Sequence, residues 1–338
     1  MASDVVWEPP PERIERANLT RLMRRLGCER YGELHRVSIE EPQRFWPAVV
    51  DDLGIEFSQP WRHVLDTTDG PEWARWFVGG RVNLARVCVH RWAAERPGDE
   101  AAVFLGEDGS RRSLSYAELS EQVARLAEGL AALGVGEGDA VGILLPMSPE
   151  VAIASHACAH VGAVQVPVFS GFAPSAIAAR LADARAKALI TADGTLRRGN
   201  VVPLKEVADE ALAAAPTVEH VVVWPRLGLD VPMTAGRDHG WDDLLAAGSG
   251  DLPAREVESE TPYLLAYTSG TTGRPKGAVH VQGGFLVSIA REAAYQTDIH
   301  RGDRVHFATD MGWIMGPWTV VGAGAAGATV VYAEGAPD

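Results

Sequence analysis

The sequence has few cysteines and a deficit of positive charge, and both features narrow what the protein can be. Its three cysteines, Cys28, Cys88 and Cys158, are scattered, so their spacing indicates neither a disulfide framework nor a zinc site. We expect buried, unpaired thiols in a reducing compartment, the cytoplasm. The 338 residues carry a formal net charge of −14. An acidic surface argues against nucleic acid or an anionic membrane as the main partner.

The sequence also lacks an N-terminal apolar segment of the signal-peptide kind. Its longest apolar stretches are residues 151–169, which include two histidines, and residues 318–333, which glycines interrupt. We predict buried α/β segments there and no membrane span. His156 and His160 have a spacing that suits a metal pair on a helix, but no third ligand accompanies them, so we predict core or surface positions.

Strands and helices alternate from about residue 86 onward, which predicts an α/β fold with largely parallel sheets flanked by helices. Ser115 and Glu118 have the spacing of a capping box at the start of a helix that Gly134 ends. The segments "PYLLAYT" and "DRVHFAT" are predicted to be strands, the first of them buried.

The chain is predicted to contain several parts. Residues 1–85 carry prolines, tryptophans and a charged helical stretch, which indicates an N-terminal extension packed onto a larger body. The remaining residues, 86–338, are divided into a first α/β subdomain (86–225), a polar linker region (226–260) and the start of a second α/β subdomain (261–338).

The segment "YTSGTTGRPKGAVH" combines hydroxyl groups, glycines and one lysine directly after a predicted strand. It is not a Walker A loop, because Gly277 follows Lys276 where a serine or threonine is required, and it lacks the dinucleotide-binding glycine pattern. Successive backbone N–H groups in such a loop form an anion-binding nest, and a lysine adds a point charge for phosphate. The pattern predicts a phosphate-binding loop; His280, which follows it, is predicted to pack rather than to act as an acid or base.

The loop "YTSGTTGRPKG" resembles the signature loop of the adenylate-forming (AMP-binding) superfamily. The segments "WARWFVGGRVNLARVCVHRW", "VFSGFAP", "ITADGTLRRGNVVPLKEVADEAL" and "DMGWIMGPW" are similar to the acetyl-CoA synthetase-like branch, in the same order, from about residue 31 to the end. In that branch the second segment reads V-F-G-G-F-S-P and the last reads D-x-G-W-x-x-G. The resemblance implies the large α/β N-terminal domain of these enzymes, here incomplete.

The resemblance also assigns site residues. It implies ATP phosphate binding by Thr268, Ser269, Gly270, Thr271, Thr272, Gly273 and Lys276. It implies an acyl pocket bordered by Trp313, Ile314, Met315 and Gly316. It implies coenzyme A binding by Gly171, Phe172 and Arg197, while the second arginine of the family's pair falls at Asn200, beside Arg198. Acetate-specific relatives have Val-Thr where this chain has Ile314-Met315, which argues against strict acetate specificity.

The implied function is that of an acyl-CoA synthetase. Such an enzyme uses ATP and Mg²⁺ to activate a short carboxylic acid as an acyl-adenylate, and then transfers the acyl group to coenzyme A. The resemblance places the catalytic lysine and the C-terminal domain beyond Asp338, so we expect an N-terminal portion that is inactive by itself, with no metal ligand of its own. The alternatives are an adenylation enzyme that loads a carrier protein and a non-catalytic nucleotide-binding protein. The sequence names neither the acid nor the oligomeric state.

Overall fold

The N-terminal segment is mainly helical and packs onto the rest of the chain. The computed structural model describes residues 7–268 and 275–335. The first elements are α1 (Pro11–Arg16), α2 (Asn18–Arg25), α3 (Tyr31–Glu40), α4 (Pro42–Asp52), β1 (His63–Asp66), β2 (Arg75–Val78) and β3 (Arg81–Val82). The side-chain amide of Asn18 donates a hydrogen bond to the carbonyl oxygen of Ile299 at 3.0 Å. The Tyr295 hydroxyl donates to the carboxylate of Asp52 at 2.6 Å. These buried polar contacts fix the segment in place.

The middle of the chain alternates between strands and helices. A π-helical turn, Arg86–His90, leads into this region. Its elements are α5 (Arg91–Glu95), β4 (Glu100–Leu105), β5 (Arg111–Ser115), α6 (Tyr116–Ala132), β6 (Ala140–Leu144), α7 (Pro149–Val161), β7 (Val164–Pro167), α8 (Pro174–Asp183), β8 (Ala188–Ala192), β9 (Thr195–Arg197), β10 (Asn200–Val202), α9 (Leu204–Leu212), β11 (His220–Trp224), β12 (Asp238–Gly240) and α10 (Trp241–Ala247). The predicted capping box is present: the Ser115 hydroxyl accepts from the backbone N–H of Glu118, whose carboxylate accepts from Ser115 N–H. Gly134, with φ of 77°, follows the end of α6 as predicted.

The last elements complete the sheets. They are β13 (Val257–Glu258), β14 (Pro262–Thr268), β15 (Lys276–Val281), α11 (Gln282–Arg291), β16 (Arg304–Val305), α12 (Met315–Ala326) and β17 (Thr329–Ala333), with a π-helical turn, Glu292–Gln296, after α11. The predicted strand "DRVHFAT" is largely wrong, because only Arg304 and Val305 pair. Beyond them the His306 ring bonds the carbonyl oxygen of Val331 at 2.9 Å, and the chain leaves the sheet.

A seven-stranded sheet in the order β12-β11-β8-β6-β7-β14-β15 forms the centre of the molecule. All its neighbouring strands are parallel except β14 and β15, which form an antiparallel pair. A second sheet has the order β16-β17-β4-β5, with only β4 and β5 antiparallel. The α/β prediction with largely parallel sheets is therefore confirmed.

Helices cover the sheets and bury the two long apolar stretches. Every residue of α7 is buried, as are most residues of α12. These segments belong to the protein core, as predicted, and no helix among the described residues is long and apolar enough to cross a membrane. The three cysteines are buried and unpaired, which confirms the sequence prediction.

The proposed division of the chain stays a prediction. Residues 226–260 contain β12, which extends the seven-stranded sheet, and α10, which packs beside α6. Residues 261–335 contribute β14 and β15 to the same sheet, whereas β16 and β17 join the four-stranded sheet.

A chain of hydrogen bonds through two histidines lies beneath α6 and α7. His160 Nε2 is 2.8 Å from the carbonyl oxygen of Leu252, and its Nδ1 is 3.0 Å from His90 Nε2. His90 Nδ1 is 2.8 Å from the Ser120 hydroxyl. Burial lowers the pKa of both rings, so both are neutral near pH 7. Because a carbonyl only accepts, the proton of neutral His160 is on Nε2, so His90 Nε2 donates to His160 Nδ1 and the Ser120 hydroxyl donates to His90 Nδ1. His156 on the same helix is fully buried, and burial lowers its pKa as well.

Low pH should destabilise the fold through the hydrogen bonds of these histidines. Burial lowers the pKa of His90 from 6.5 to about 4. The neutral ring then contributes stability above pH 6.5 that is lost as the pH falls toward 4, because only the unfolded state takes up a proton in that window. Denaturant unfolding of His90→Gln should show a pH slope lower by about 1.4 kcal/mol per pH unit in that window. His35→Gln, at an exposed position, is the matched control. An unchanged pH slope in His90→Gln would contradict the claim that the His90 ring is neutral in the folded protein.

Candidate active site

Three cavities meet at residues 313–315, at the start of α12. The Arg197 cavity, of about 510 Å³, shares Trp313 with the Thr268 cavity, of about 250 Å³. The Thr268 cavity shares Ile314 with the aromatic cavity, of about 630 Å³. Met315 lines both the Arg197 cavity and the aromatic cavity. This short segment therefore contacts all three spaces.

The Arg197 cavity lies beyond the carboxyl ends of the parallel strands, where open α/β sheets usually bind ligands. Met147 follows β6, Phe169 and Ser170 follow β7, and Gly335 follows β17. Its complete lining is Pro146, Met147, Phe169, Ser170, Thr195, Leu196, Arg197, Ala308, Thr309, Asp310, Trp313, Met315 and Gly335. The sheet thus brings residues from widely separated parts of the sequence to one crevice.

Arg197 is the cation of this cavity. Its guanidinium carbon lies 5.3 Å from the centroid of the Phe169 ring, at the range of a cation–π contact. A Cβ atom on Gly171 would lie 2.6 Å from Arg197 Nη1, so the absence of a side chain at Gly171 allows the guanidinium to lie there. Phe172 packs edge-on against Phe169 at 5.2 Å and is itself covered by Arg180 at 4.2 Å. Arg197 and Gly171 are therefore direct neighbours, and Phe172 supports them from behind.

The neighbouring residues Arg198 and Asn200 belong to the tight hairpin between β9 and β10. Arg198 and Gly199 both have positive φ, 53° and 71°, as a type I′ turn requires. The backbone N–H groups of both residues donate to the Glu107 carboxylate, at 2.9 and 3.0 Å. The Asn200 side chain is tied to the Arg198 carbonyl oxygen at 3.0 Å. Arg198 is exposed and is absent from the cavity lining.

Asp310 links the Arg197 cavity to residues 313–315, and the sequence analysis missed this role. Its carboxylate accepts from the Ser170 hydroxyl at 2.6 Å and from the Gly312 N–H at 2.9 Å. Burial raises the pKa of Asp310, whereas these hydrogen bonds and the nearby Arg197 act to lower it. The available signal was the serine at position 170, where the related motif has glycine.

Gly312 makes the closest approach between these two segments. A Cβ atom at this position would lie 2.5 Å from the backbone nitrogen of Phe169. The Phe169 and Trp313 rings also contact each other, with centroids 6.2 Å apart. Gly316 has a similar role one turn later, since its Cβ would lie 2.7 Å from the carbonyl oxygen of Asp310. Glycine is thus needed at both positions for residues 310–316 to pack as they do.

The predicted acyl-pocket residues line the cavities in different ways. Trp313 is 59% exposed and Ile314 is 45% exposed, so neither is a core residue. Both are cavity walls, as is Met315, whereas Gly316 is buried and lines none of the three. Their roles toward an acyl group stay predictions.

The Thr268 cavity lies at the loop end of the β14–β15 hairpin. Thr268 and Lys276 are partners across the two strands, so the predicted phosphate loop begins and ends at one place. Ser269, Gly270, Thr271, Thr272 and Gly273 lie outside the described residues. The far half of β14 is only partly buried, unlike the predicted fully buried strand, because Ala266 and Tyr267 line this cavity.

The aromatic cavity lies between the N-terminal segment and the helices α11 and α12. Its aromatic lining residues are Trp46, Trp76, Phe77, Phe285 and Trp318. Its titratable residues are Glu260, His280 and Glu292. The His280 ring packs edge-on against Phe285 at 5.2 Å, and burial lowers the pKa of His280. His280 is therefore a neutral wall residue at neutral pH.

Metal binding finds no support among the side chains of the described residues. No group of three or more histidine, cysteine, aspartate or glutamate side chains among them could hold an ion. His156 and His160 are both buried, so they are core positions rather than surface positions.

Comparison with known proteins gives the family. The model of the AMP-binding enzyme family matches residues 89–338, and the model of the acetyl-coenzyme A synthetase N-terminus matches residues 31–88. The chain belongs to the AMP-binding enzyme family. The match confirms the resemblance of the sequence from about residue 31 onward.

Relatives of this AMP-binding chain share its sequence over most of its length. Acetyl-coenzyme A synthetase of Syntrophus aciditrophicus is 40% identical over 91% of this chain and 48% of its own length. The enzyme of Rhodopirellula baltica is 41% identical over 92% of this chain and 47% of its own length. The chain thus spans about half the length of the curated relatives it matches.

A solved structure shares the fold of this AMP-binding chain. Acetoacetyl-CoA synthetase from Streptomyces lividans superposes with a TM-score of 0.91 and 33% identity, over 98% of this chain and 51% of that protein. The expected α/β fold of the adenylate-forming N-terminal domain is therefore confirmed.

The packing of Gly312 can be tested directly. Gly312→Ala should lower the free energy of unfolding by about 1–3 kcal/mol, because the new methyl group would overlap backbone atoms of Phe169. Gly98→Ala is the matched control, since a Cβ there meets nothing within 4 Å. Denaturant unfolding of both variants measures the difference. Equal free energies of unfolding would show that residues 310–316 can shift to accommodate the methyl group without loss of stability.

Proposed function

We propose that the protein is an AMP-forming acid–thiol ligase that joins a small carboxylic acid to coenzyme A at the expense of ATP. One observation carries the proposal: three cavities of different character meet at residues 313–315. One contains an arginine, one adjoins the predicted phosphate loop, and one is lined mainly by apolar side chains. A reaction that joins three substrates in sequence needs such a meeting point, because the reacting atoms must come together there.

The chemistry assigns a task to each cavity. A carboxylate is a poor acyl donor, since oxide is a poor leaving group, so the acid first attacks the α-phosphate of ATP and pyrophosphate leaves. Negative charge builds on the departing oxygens, and donors placed there beforehand stabilise it. We assign the nucleotide phosphates to the loop that Thr268 and Lys276 delimit. The thiol of coenzyme A then attacks the acyl-adenylate, and AMP leaves as the thioester forms.

Coenzyme A fits the Arg197 cavity by charge. Its phosphates are anions, and a guanidinium binds phosphate through paired donors. Arg197 faces the cavity and is held in place by Phe169, with Gly171 leaving room for it. In the proposed arrangement the coenzyme A phosphates contact Arg197 and its thiol reaches residues 313–315.

Magnesium enters the proposal with the nucleotide. Thr268 lines this cavity and Lys276 is its partner across the hairpin, and the described residues contain no group of three or more histidine, cysteine, aspartate or glutamate side chains that could hold an ion. This donor set fits an ion that the phosphates and water hold, as Mg²⁺ usually is in nucleotide sites. We place the reaction in the cytoplasm, where three unpaired thiols are stable.

The primary experiment is ATP–pyrophosphate exchange with the longest open reading frame that contains this sequence. Exchange that depends on both an acid and Mg²⁺ would establish adenylation, and thioester formation on adding coenzyme A would establish the second step. Exchange with acyl transfer to a carrier protein but not to free coenzyme A would replace the ligase by a carrier-loading enzyme. Nucleotide binding by the folded protein, without exchange for any acid, would refute the proposal.

Arg197 gives the second test of the proposal. Arg197→Ala should raise the KM for coenzyme A at least about tenfold, since a charge-assisted hydrogen bond contributes about 1.5–3 kcal/mol. The increase in the KM for coenzyme A is compared with any change in the rate of ATP–pyrophosphate exchange, which is measured without coenzyme A. Arg198→Ala is the matched control, because Arg198 is exposed and lies outside the cavity. A larger increase in the KM for coenzyme A in Arg198→Ala would show that Arg198, and not Arg197, contacts the phosphates.

A further inference from the structure

We propose that the aromatic cavity is the acyl site of this protein and takes a monocarboxylic acid with an aromatic-sized apolar chain that ends in a hydrogen-bond donor. The inference rests on the proposed function and names its substrate class. It departs from the short acid that the sequence alone predicts. Three features of the cavity carry it: its size, its aromatic wall and the carboxylate of Glu260.

The cavity is far larger than a two-carbon acid requires. This half-open cleft has a volume of about 630 Å³, within the range of sites for whole small molecules, and a dry cavity of about 150 Å³ already holds benzene. Beside its aromatic lining stand Val281, Ile289, Ile314 and Met315. A two-carbon chain would leave most of these walls without contacts and forfeit their dispersion energy. An aromatic or comparably bulky chain would contact them.

The position of the carboxyl group follows from the shared residues. Ile314 and Met315 are where the aromatic cavity borders the other two cavities, so the reacting carboxyl group must lie beside them. The chain of the acid then extends into the remainder of the aromatic cavity. That remainder is bounded by Trp46 and Trp76 from the N-terminal segment.

The aromatic wall is held rigidly. Trp46 of α4 and Trp76 of β2 meet edge to face, with centroids 5.5 Å apart. Phe77 has a φ of 52°, a backbone conformation that costs energy for a residue with a side chain. Phe57 and Trp61 pack against its ring at 5.4 and 5.1 Å and keep it in place. Such a wall offers a preformed surface for a flat apolar group.

Glu260 supplies the polar end of the site. Its Oε1 accepts a hydrogen bond from the Trp76 N–H at 2.8 Å, so the carboxylate is fixed to the aromatic wall. Its Oε2 receives no hydrogen bond from a residue that the structure describes. Glu260 is half-buried, and this burial raises its pKa against the Trp76 hydrogen bond and the charge of Arg75, which lower it. A hydroxyl or amino group on the acid would donate to Oε2, whereas a second carboxylate would be repelled.

The other charged groups of the cavity leave this assignment intact. Glu292 accepts from the Trp318 indole N–H at 3.0 Å and from Arg291 at 3.0 Å, so both of its oxygens are engaged. His280 is neutral for the reason given above. Glu260 is thus the acceptor that remains for a ligand among the described titratable residues of this cavity.

The test uses matched acids in ATP–pyrophosphate exchange with the longest open reading frame. The acids are acetate, hexanoate, adipate, phenylacetate and para-hydroxyphenylacetate. We expect kcat/KM for para-hydroxyphenylacetate to exceed that for phenylacetate by at least about tenfold, the effect of one hydrogen bond to a charged group, and acetate to be slower still. Hexanoate should exceed adipate, which adds only a second carboxylate. Acetate as the fastest acid would overturn the inference while supporting the proposed function.

Variants locate the effect. Glu260→Gln should reduce the preference for para-hydroxyphenylacetate over phenylacetate severalfold and raise the rate with adipate, because the charge is removed and the size kept. Glu258→Gln, an exposed residue two positions earlier that is absent from the cavity lining, should keep both ratios. Equal ratios in the two variants would overturn the role of Glu260.

Direct binding separates failure of this inference from failure of the proposed function. Thermal unfolding is measured with each acid in the absence of ATP. Stabilisation by para-hydroxyphenylacetate that Glu260→Gln abolishes, without exchange for any acid, would support the ligand class and refute the ligase. Neither stabilisation nor exchange with these five acids, while another small acid drives exchange, would overturn this inference and support the proposed function.

Discussion

The packing of Gly312 against the backbone of Phe169 fixes the point at which the three cavities meet. This contact brings residues 310–316 onto the turn that follows β7, so that Trp313 reaches the Phe169 ring and Asp310 reaches the Ser170 hydroxyl. The helix α12 then starts at Met315, with the cavity walls just before its first turn. If that contact moved, the Arg197 cavity would move away from the aromatic cavity, and the substrates would lose their common boundary.

The same junction accounts for how an acidic protein would bind the anionic substrates that we propose for it. A net charge of −14 repels nucleotides at long range, so attraction must come from groups at the site. Arg197 is placed by a ring and a glycine, and Lys276 by its pairing with Thr268 in the β14–β15 hairpin. Asp310 is the carboxylate that lines the Arg197 cavity, and it is buried and accepts hydrogen bonds from Ser170 and from the Gly312 N–H. The positions of these two cations at the site therefore provide the attraction for anions that the overall negative charge does not.

The local features of the fold could be predicted from the sequence because they depend on neighbouring residues. The Ser115–Glu118 capping box, the strand β14 and the hydroxyl–glycine–lysine order after it are contained in short segments. The Ser170–Asp310 hydrogen bond joins residues 140 positions apart, and no local pattern encodes it. The strand predicted around Val305 failed for a related reason, since the His306 side chain takes the carbonyl oxygen of Val331 at the point where the pairing ends. Pairwise contacts across the sheets decide such details.

The aromatic cavity depends on the same long-range assembly, because residues of the N-terminal segment form part of its wall. Trp46 and Trp76 precede the AMP-binding match at residue 89, yet they form one wall of a cavity whose other walls are α11 and α12. Glu260 connects the N-terminal segment to β14, because it lies just before this strand and accepts a hydrogen bond from the backbone N–H of Trp76. The strand that leads into the phosphate loop is therefore tied to the wall that would contact the acyl chain. If the proposed acyl site is correct, a substitution in the N-terminal segment would alter the choice of acid without touching a residue of the phosphate loop.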